Sequence, residues 1–163
     1  MQAMDNTQYH FQDQDMDIID DYNKLSLGKY IEIQAISEDE SLEEIDRQAQ
    51  LHNKRMDVLV QVNIAGEEQK GGLPPEEVIP FLRACSVLPG LQVKGLMAIM
   101  PLEASREELD GYFAGMRALF DRCAEENIEN IQMQELSMGM SRDFDLAARH
   151  GATMVRVGSL LFQ

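Results

Sequence analysis

Residues 56–100 read MDVLVQVNIAGEEQKGGLPPEEVIPFLRACSVLPGLQVKGLMAIM, and this stretch decides the fold. Met56–Ile64 is rich in β-branched residues and reads as a buried strand. Gly66–Gly72 is a loop. Pro74-Pro75-Glu76-Glu77 then opens a helix, because proline tolerates the first turn and carboxylates favour its positive end. That helix is expected to stop near Pro89-Gly90, and Leu91–Met100 is a second apolar strand. Strand, helix and strand in this order make a parallel β-α-β unit.

The same alternation extends in both directions. On the amino-terminal side, Tyr30–Ile36 alternates as a strand, with Tyr30, Glu32 and Gln34 on one face and Ile31, Ile33 and Ala35 on the other. Ser41-Leu42-Glu43-Glu44 has the spacing of a capping box and predicts a helix from there to Lys54. On the other side, Ser105-Arg106-Glu107-Glu108 is a second capping box. Behind it Leu109, Tyr112, Phe113, Met116, Leu119, Phe120 and Cys123 form the stripe of a one-sided helix. We read this stripe as core packing against a sheet rather than as a cofactor box or partner groove. Ile131–Leu136 is a strand, Ser137–Ser141 a glycine-containing loop, and Asp143–His150 a short helix capped at Gly151. Thr153–Gly158 is the last strand.

The order β-α-β-α-β-α-β-α-β predicts an α/β protein of about five parallel strands with covering helices. A barrel and a doubly wound sheet both satisfy that pattern. Successive strands are spaced by roughly 25–40 residues, the scale of one βα unit. A complete eight-fold barrel needs about 250 residues, and the chain has 163. The sheet is therefore open, or it is part of a barrel.

Charge divides the chain in two. Residues 1–50 carry 13 Asp and Glu against 3 Lys and Arg, within a formal net charge of −15. Residues 1–29 show no periodicity and are expected to be an acidic, irregular segment, with residues 30–163 as the folded unit. Such a charge repels phosphate backbones and disfavours nucleic-acid binding. No stretch approaches the ~18–20 apolar residues of a membrane span, and the amino terminus resembles no leader peptide, so the expectation is a soluble, cytoplasmic protein. Cys85 and Cys123 lie in amphipathic helices without a second ligand at metal spacing, and read as buried reduced thiols.

In parallel α/β folds the working groups lie at the carboxyl ends of the strands. Here those ends carry Asn63, Met100, Ser137–Asp143 and Gly158-Ser159. The run Leu136–Asp143, LSMGMSRD, combines a glycine with the hydroxyls of Ser137 and Ser141, a surface suited to an anion such as phosphate. Such a loop is also often a plain connector. Arg156 interrupts the last apolar strand and needs an acceptor, which a salt bridge to Asp143 or Glu135 would supply. Gly158-Ser159 beyond it offers two more donors, and paired anion-ready turns carry more weight than one. His10, His52 and His150 are scattered, and His150 fits a helix end by its dipole interaction. No serine-histidine-acid spacing or Walker loop is present.

Four segments together resemble one family: VLVQVNIAGEEQKGG (Val58–Gly72), LPGLQVKGLMAIM (Leu88–Met100), LSMGMSRD (Leu136–Asp143) and GATMVRVGSLLF (Gly151–Phe162). They are similar, in order and spacing, to the pyridoxal phosphate homeostasis proteins. The resemblance implies a partial (β/α) TIM-type barrel of the alanine racemase amino-terminal kind. It implies a protein that binds pyridoxal 5′-phosphate as a Schiff base, has no established turnover, and serves vitamin B6 and amino-acid homeostasis. Carried across by residue, Ser141 with Met140 beside it would line the phosphate site, and Gly158 and Ser159 would add donors. Arg156 would face the pyridine nitrogen, keeping it unprotonated and the ring a poor electron sink. Asn63, Lys70 and Met97 also fall in matching motifs.

The departures from the family pattern are as informative. The family's lysine motif, like AVSK, and its GENY motif do not occur, and WHFIGxLQxNK is echoed only by Tyr9-His10-Phe11 and Asn23-Lys24. The chain thus looks like the carboxy-terminal part of such a barrel, truncated before the Schiff-base lysine. None of Lys24, Lys29, Lys54, Lys70 and Lys94 is a dedicated replacement, so cofactor binding is expected to be weak or non-covalent. The alternative is a vestigial or partner-dependent barrel fragment, self-associating through open sheet edges and binding no cofactor. An enzyme acting on a small phosphorylated substrate ranks behind both.

Overall fold

A computed structural model describes residues 31–33, 39–67 and 71–158. The expected irregular segment 1–29 lies outside the described residues, as do Lys70 and Ser159. Five strands are present: β1 (Ile31–Ile33), β2 (Met56–Gln61), β3 (Leu91–Met97), β4 (Ile131–Met140) and β5 (Met154–Arg156). Between them run α1 (Asp39–Leu51), α2 (Val78–Cys85, entered through a 3-10 turn at Pro75–Glu77), α3 (Arg106–Glu125) and α4 (Phe144–Arg149). Every neighbouring pair is parallel and the sheet order is β1-β2-β3-β4-β5.

That order decides between the two architectures left open by the sequence. Right-handed crossovers that always step to the next strand in the same direction place all helices on one face. A doubly wound sheet instead reverses direction at a switch point. The packing agrees with the first arrangement. Val58 and Val60 of β2, Val93 and Leu96 of β3, and Leu136 and Met138 of β4 share one apolar cluster with buried residues of all four helices. Leu59 and Met97 are buried as well but lie outside that cluster, on the sheet's other face. The architecture is a partial (β/α) barrel.

Register shifts explain why the alternation is broken within β3. Val93 and Leu96, three residues apart, both face the helices, and the pairing with β4 shifts between Val93 and Gly95.

The helix starts and stops separate local signals from tertiary ones. At Ser105 the capping box forms: Ser105 Oγ accepts from the Glu108 amide at 3.3 Å, and Glu108 Oε2 accepts from the Ser105 amide at 2.8 Å. The Ser105 hydroxyl and then its amide hold the Glu108 carboxyl below its ordinary range. At Ser41 the expected box is not the start, because α1 begins two residues earlier at Asp39. α2 ends at Cys85, short of Pro89-Gly90, where the Ser86 hydroxyl turns back to the Arg83 carbonyl at 2.7 Å. The expected loop Ser137–Ser141 is a correction: β4 continues to Met140, since Ser137 and Met140 pair with Met154 and Arg156.

Cys85 and Cys123 are free and buried. Burial pushes the Cys85 thiol up to about 12. Burial, against a smaller opposing effect of Arg122, pushes Cys123 up to about 11. Both are therefore protonated and inert at neutral pH. Iodoacetamide is expected to modify neither thiol in the native protein and both after denaturation, as counted by intact mass. Unfolded thiols ionise near their ordinary value of 9.0, so this burial stabilises fully below it and its contribution declines as alkali rises through about 11 to 12. Native alkylation at neutral pH would contradict the packing.

Among the described residues, no helix is long and apolar enough to cross a membrane. No group of three His, Cys, Asp or Glu among them could hold a metal ion.

Candidate functional site

The carboxyl ends of the strands meet in a lateral row set by register, Gln61 to Met97 to Ser137 to Met154. In parallel pairing, partners point to the same face, so this row crosses the sheet on the side away from the helices. Arg156, two residues past Met154, joins the same face. Its Nη1 donates to Ser137 Oγ at 2.6 Å and its Nη2 to the Ala98 carbonyl at 2.9 Å. Two strands thus hold one half-buried guanidinium in a defined plane. Asp143, one of the two carboxylates the sequence allowed as its partner, is turned elsewhere. The other, Glu135, accepts from the Thr153 hydroxyl at 2.7 Å.

Ser137 was a candidate anion donor and takes a different place. It is buried, 2% exposed, and its hydroxyl accepts from Arg156. Its contribution is to aim that arginine. Finding this pair from sequence would have required the β4–β5 register, because residues 137 and 156 carry no mutual periodicity.

The turn after β4 is shaped by Gly139, whose φ of 93° is a left-handed conformation. The Met140 amide donates to Asp143 Oδ1 at 2.6 Å, and the Asp143 amide returns a bond to the Met140 carbonyl at 3.1 Å. The Met140 side chain is exposed. Beyond this closed turn the Ser141 hydroxyl accepts from the Gly158 amide at 3.2 Å. The turns following the last two strands are therefore in direct contact. Among the described residues, a β-carbon built on Gly158 meets nothing within 4 Å.

Of the sequence-derived site residues, the fold brings Ser141, Gly158, Arg156 and Met140 to one end of the sheet. Asn63 instead closes its own loop: its Oδ1 accepts from the Glu67 amide at 3.1 Å, and its Nδ2 donates to the Glu67 carbonyl at 2.8 Å. Met97 is fully buried. His150, placed by its helix end, also meets Asp110 Oδ1 at 2.8 Å and stacks on Phe113.

Chemically, a rotatable hydroxyl beside a backbone N–H can hold a tetrahedral oxyanion. A planar cation on the same mouth can meet an aromatic nitrogen or a second anion.

Fold and site define a barrel of known kind. Residues 21–163 match the family described as alanine racemase, N-terminal domain, and the chain belongs to that family. Its relatives there are more particular. The pyridoxal phosphate homeostasis protein of Aquifex aeolicus is 40% identical over 139 residues, covering 85% of this chain and 60% of the relative. The protein of the same name from Schizosaccharomyces pombe is 33% identical, covering 97% and 65%. PipY of Synechococcus elongatus PCC7942, solved with PLP bound, superposes with a TM-score of 0.71 at 30% identity, covering 83% of this chain and 61% of PipY. The chain spans less than two thirds of the length of each.

Proposed function

We propose that this chain binds pyridoxal 5′-phosphate non-covalently at the mouth of its partial barrel and serves vitamin B6 and amino-acid homeostasis without substrate turnover. The observation carrying this reading is the contact between the Ser141 hydroxyl and the Gly158 amide. A phosphoryl oxygen can replace Ser141 Oγ as the acceptor of the Gly158 N–H while the Ser141 hydroxyl rotates to donate to it, and no described atom lies within 4 Å of a β-carbon on Gly158. Ser141, Gly158 and Ser159 would hold the phosphate, with Met140 alongside, and Arg156 would meet the ring nitrogen. When bound, the cofactor would supply an electrophilic aldehyde, its ring kept a poor electron sink by the guanidinium at its nitrogen. Lys94, on the sheet's inner side, donates to Gln132 Oε1 at 2.6 Å and lies 4.0 Å from Asp57, which favours a structural role for that lysine. The names of the relatives and the PLP-bound PipY structure support the reading. A cytoplasmic location fits it, and the net charge of −15 argues against a nucleic-acid partner.

Titration with pyridoxal 5′-phosphate, followed by absorbance and then by borohydride reduction and peptide mapping, tests the proposal. A spectral change without a trapped lysine is the expected result. An adduct on one lysine would replace the non-covalent reading with a covalent one. In the same titration Gly158→Ala is expected to lower affinity about tenfold, because its methyl fills the phosphoryl approach. Its melting temperature should stay unchanged, since the added carbon meets no described atom within 4 Å.

A second reading is favoured by one feature. β1 and β5 are the outermost strands of the described sheet, and Met140, Phe144 and Val155 are exposed near β5. Edges of this kind invite pairing with another chain. That reading, a barrel fragment completed by self-association, predicts oligomers on size-exclusion chromatography and no spectral change.

A further inference from the structure

We propose that Asp143 is the positioning residue of the phosphoryl site: its carboxylate holds the Met140 amide and so sets the turn that carries Ser141 to Gly158. The inference rests on the binding reading above and deepens it.

Asp143 occupies the residue before α4, where an aspartate ordinarily accepts from the amides of its own helix. Its side chain makes no such bond. It reaches backwards instead, and Oδ1 accepts from the Met140 amide at 2.6 Å. The main chain closes the same ring in the opposite sense, Asp143 N–H to the Met140 carbonyl at 3.1 Å. Its own carbonyl accepts from Leu146 and Ala147, each at 3.1 Å, so one residue ties the helix to the turn. With 8% exposure, the carboxylate is buried behind the turn rather than presented to solvent.

Two consequences follow for the ligand. The Met140 N–H is held by the buried Asp143 carboxylate at 2.6 Å, whereas the Gly158 N–H is held at 3.2 Å by a hydroxyl that can rotate, so an incoming phosphoryl group takes the Gly158 N–H over from Ser141 Oγ and accepts from that hydroxyl. Ser141 lies inside the Met140–Asp143 ring, two residues past left-handed Gly139, and the ring sets the backbone from which its hydroxyl meets the Gly158 amide at 3.2 Å.

The test uses the whole chain with inorganic phosphate and then pyridoxal 5′-phosphate as probes, read by amide NMR. In the wild-type protein Gly158 N–H is expected to shift on addition while Met140 N–H stays in place. Asp143→Asn retains an acceptor oxygen of the same reach, so it should keep Met140 slow to exchange and affinity within about threefold. Asp143→Ser is as good a helix cap but too short to reach Met140. It should leave α4 intact, speed Met140 exchange, and weaken pyridoxal 5′-phosphate binding at least about tenfold, as should Asp143→Ala. Asp143→Ser behaving like the wild type in both readouts would reduce Asp143 to an ordinary cap and overturn the assignment. Phosphate shifting Met140 as strongly as Gly158 would overturn it too. A wild-type protein with no shift at any amide sinks the phosphoryl reading itself. Met140 exchange and the Ser141–Gly158 proximity in the variants then decide the Asp143 assignment alone, loosened in Asp143→Ser supporting it and unchanged opposing it. If Asp143→Ala fails to fold, the Asn and Ser pair carries the comparison.

Discussion

Gly95→Ala is expected to abolish the stable fold. A β-carbon on Gly95 would lie 1.7 Å from the Glu135 carbonyl oxygen, 2.7 Å from its carbon and 3.0 Å from its nitrogen. All three are backbone atoms of β4, so no side chain can swing aside. Gly95 pairs with Leu59 on one flank and Glu135 on the other, in the middle of the sheet. Making room means pulling β3 from β4 along the seam where Leu96, Leu136 and Met138 are buried. Backbone collisions of this kind belong to the upper tail of single-site effects, roughly 4 kcal/mol or more. A whole domain holds only about 5–15 kcal/mol. Thermal melting followed by circular dichroism should drop by at least about 10 °C, or the variant should fail to accumulate in soluble form. Gly111→Ala is the internal control. Gly111 lies within α3 with nothing within 4 Å of an added carbon, so alanine there should be neutral or stabilise by up to about 1 kcal/mol. If Gly95→Ala melts with the parent, the described β3–β4 register is wrong.

Gly139→Ala should damage both stability and the site. Its φ of 93° is strained for any residue with a side chain, and the added carbon would meet Ala147 Cβ at 2.5 Å and Phe144 Cα at 3.2 Å. Ala147 is fully buried, so α4 has to retreat from the turn. Strain and displacement together should cost roughly 2–4 kcal/mol. Because α4 is tied to the turn through Asp143, its retreat also carries Ser141 away from Gly158. Affinity for pyridoxal 5′-phosphate should fall with stability, unlike Gly158→Ala, which affects affinity alone. Adding Ala147→Gly removes the carbon–carbon collision while leaving the φ strain. The double variant should recover part of the loss, and the non-additivity measures how much was collision. Additive losses would show that the clash contributes nothing and that backbone strain alone is responsible.

These two glycines mark where sequence reading succeeded and where it stopped. A glycine was legible between the predicted strand and α4; Gly139 stands near the end of β4, where its φ of 93° and its closeness to Ala147 require it. Gly95, inside an apolar strand, gave no comparable signal, because its requirement comes from the carbonyl of a residue forty positions away. The two serine boxes make the same distinction. Ser105 caps its helix as its local spacing predicts, whereas Ser41 lies inside α1, which begins at Asp39. Ser141, Gly158 and Arg156 were legible as neighbours of strand ends. The bond from Arg156 to Ser137, and the backward reach of Asp143 to Met140, were not.

Alternating apolar strands and one-sided helices were written in the residues themselves, since side-chain periodicity follows from local backbone geometry. They made this chain a parallel α/β protein. Whether the strands wind in one direction or two depended on which strand lies beside which, and only the three-dimensional arrangement settled that as a partial barrel. Hydrogen-bond register between distant segments is a property of the assembled sheet. It decided which hydroxyl aims the arginine and which amide Asp143 holds.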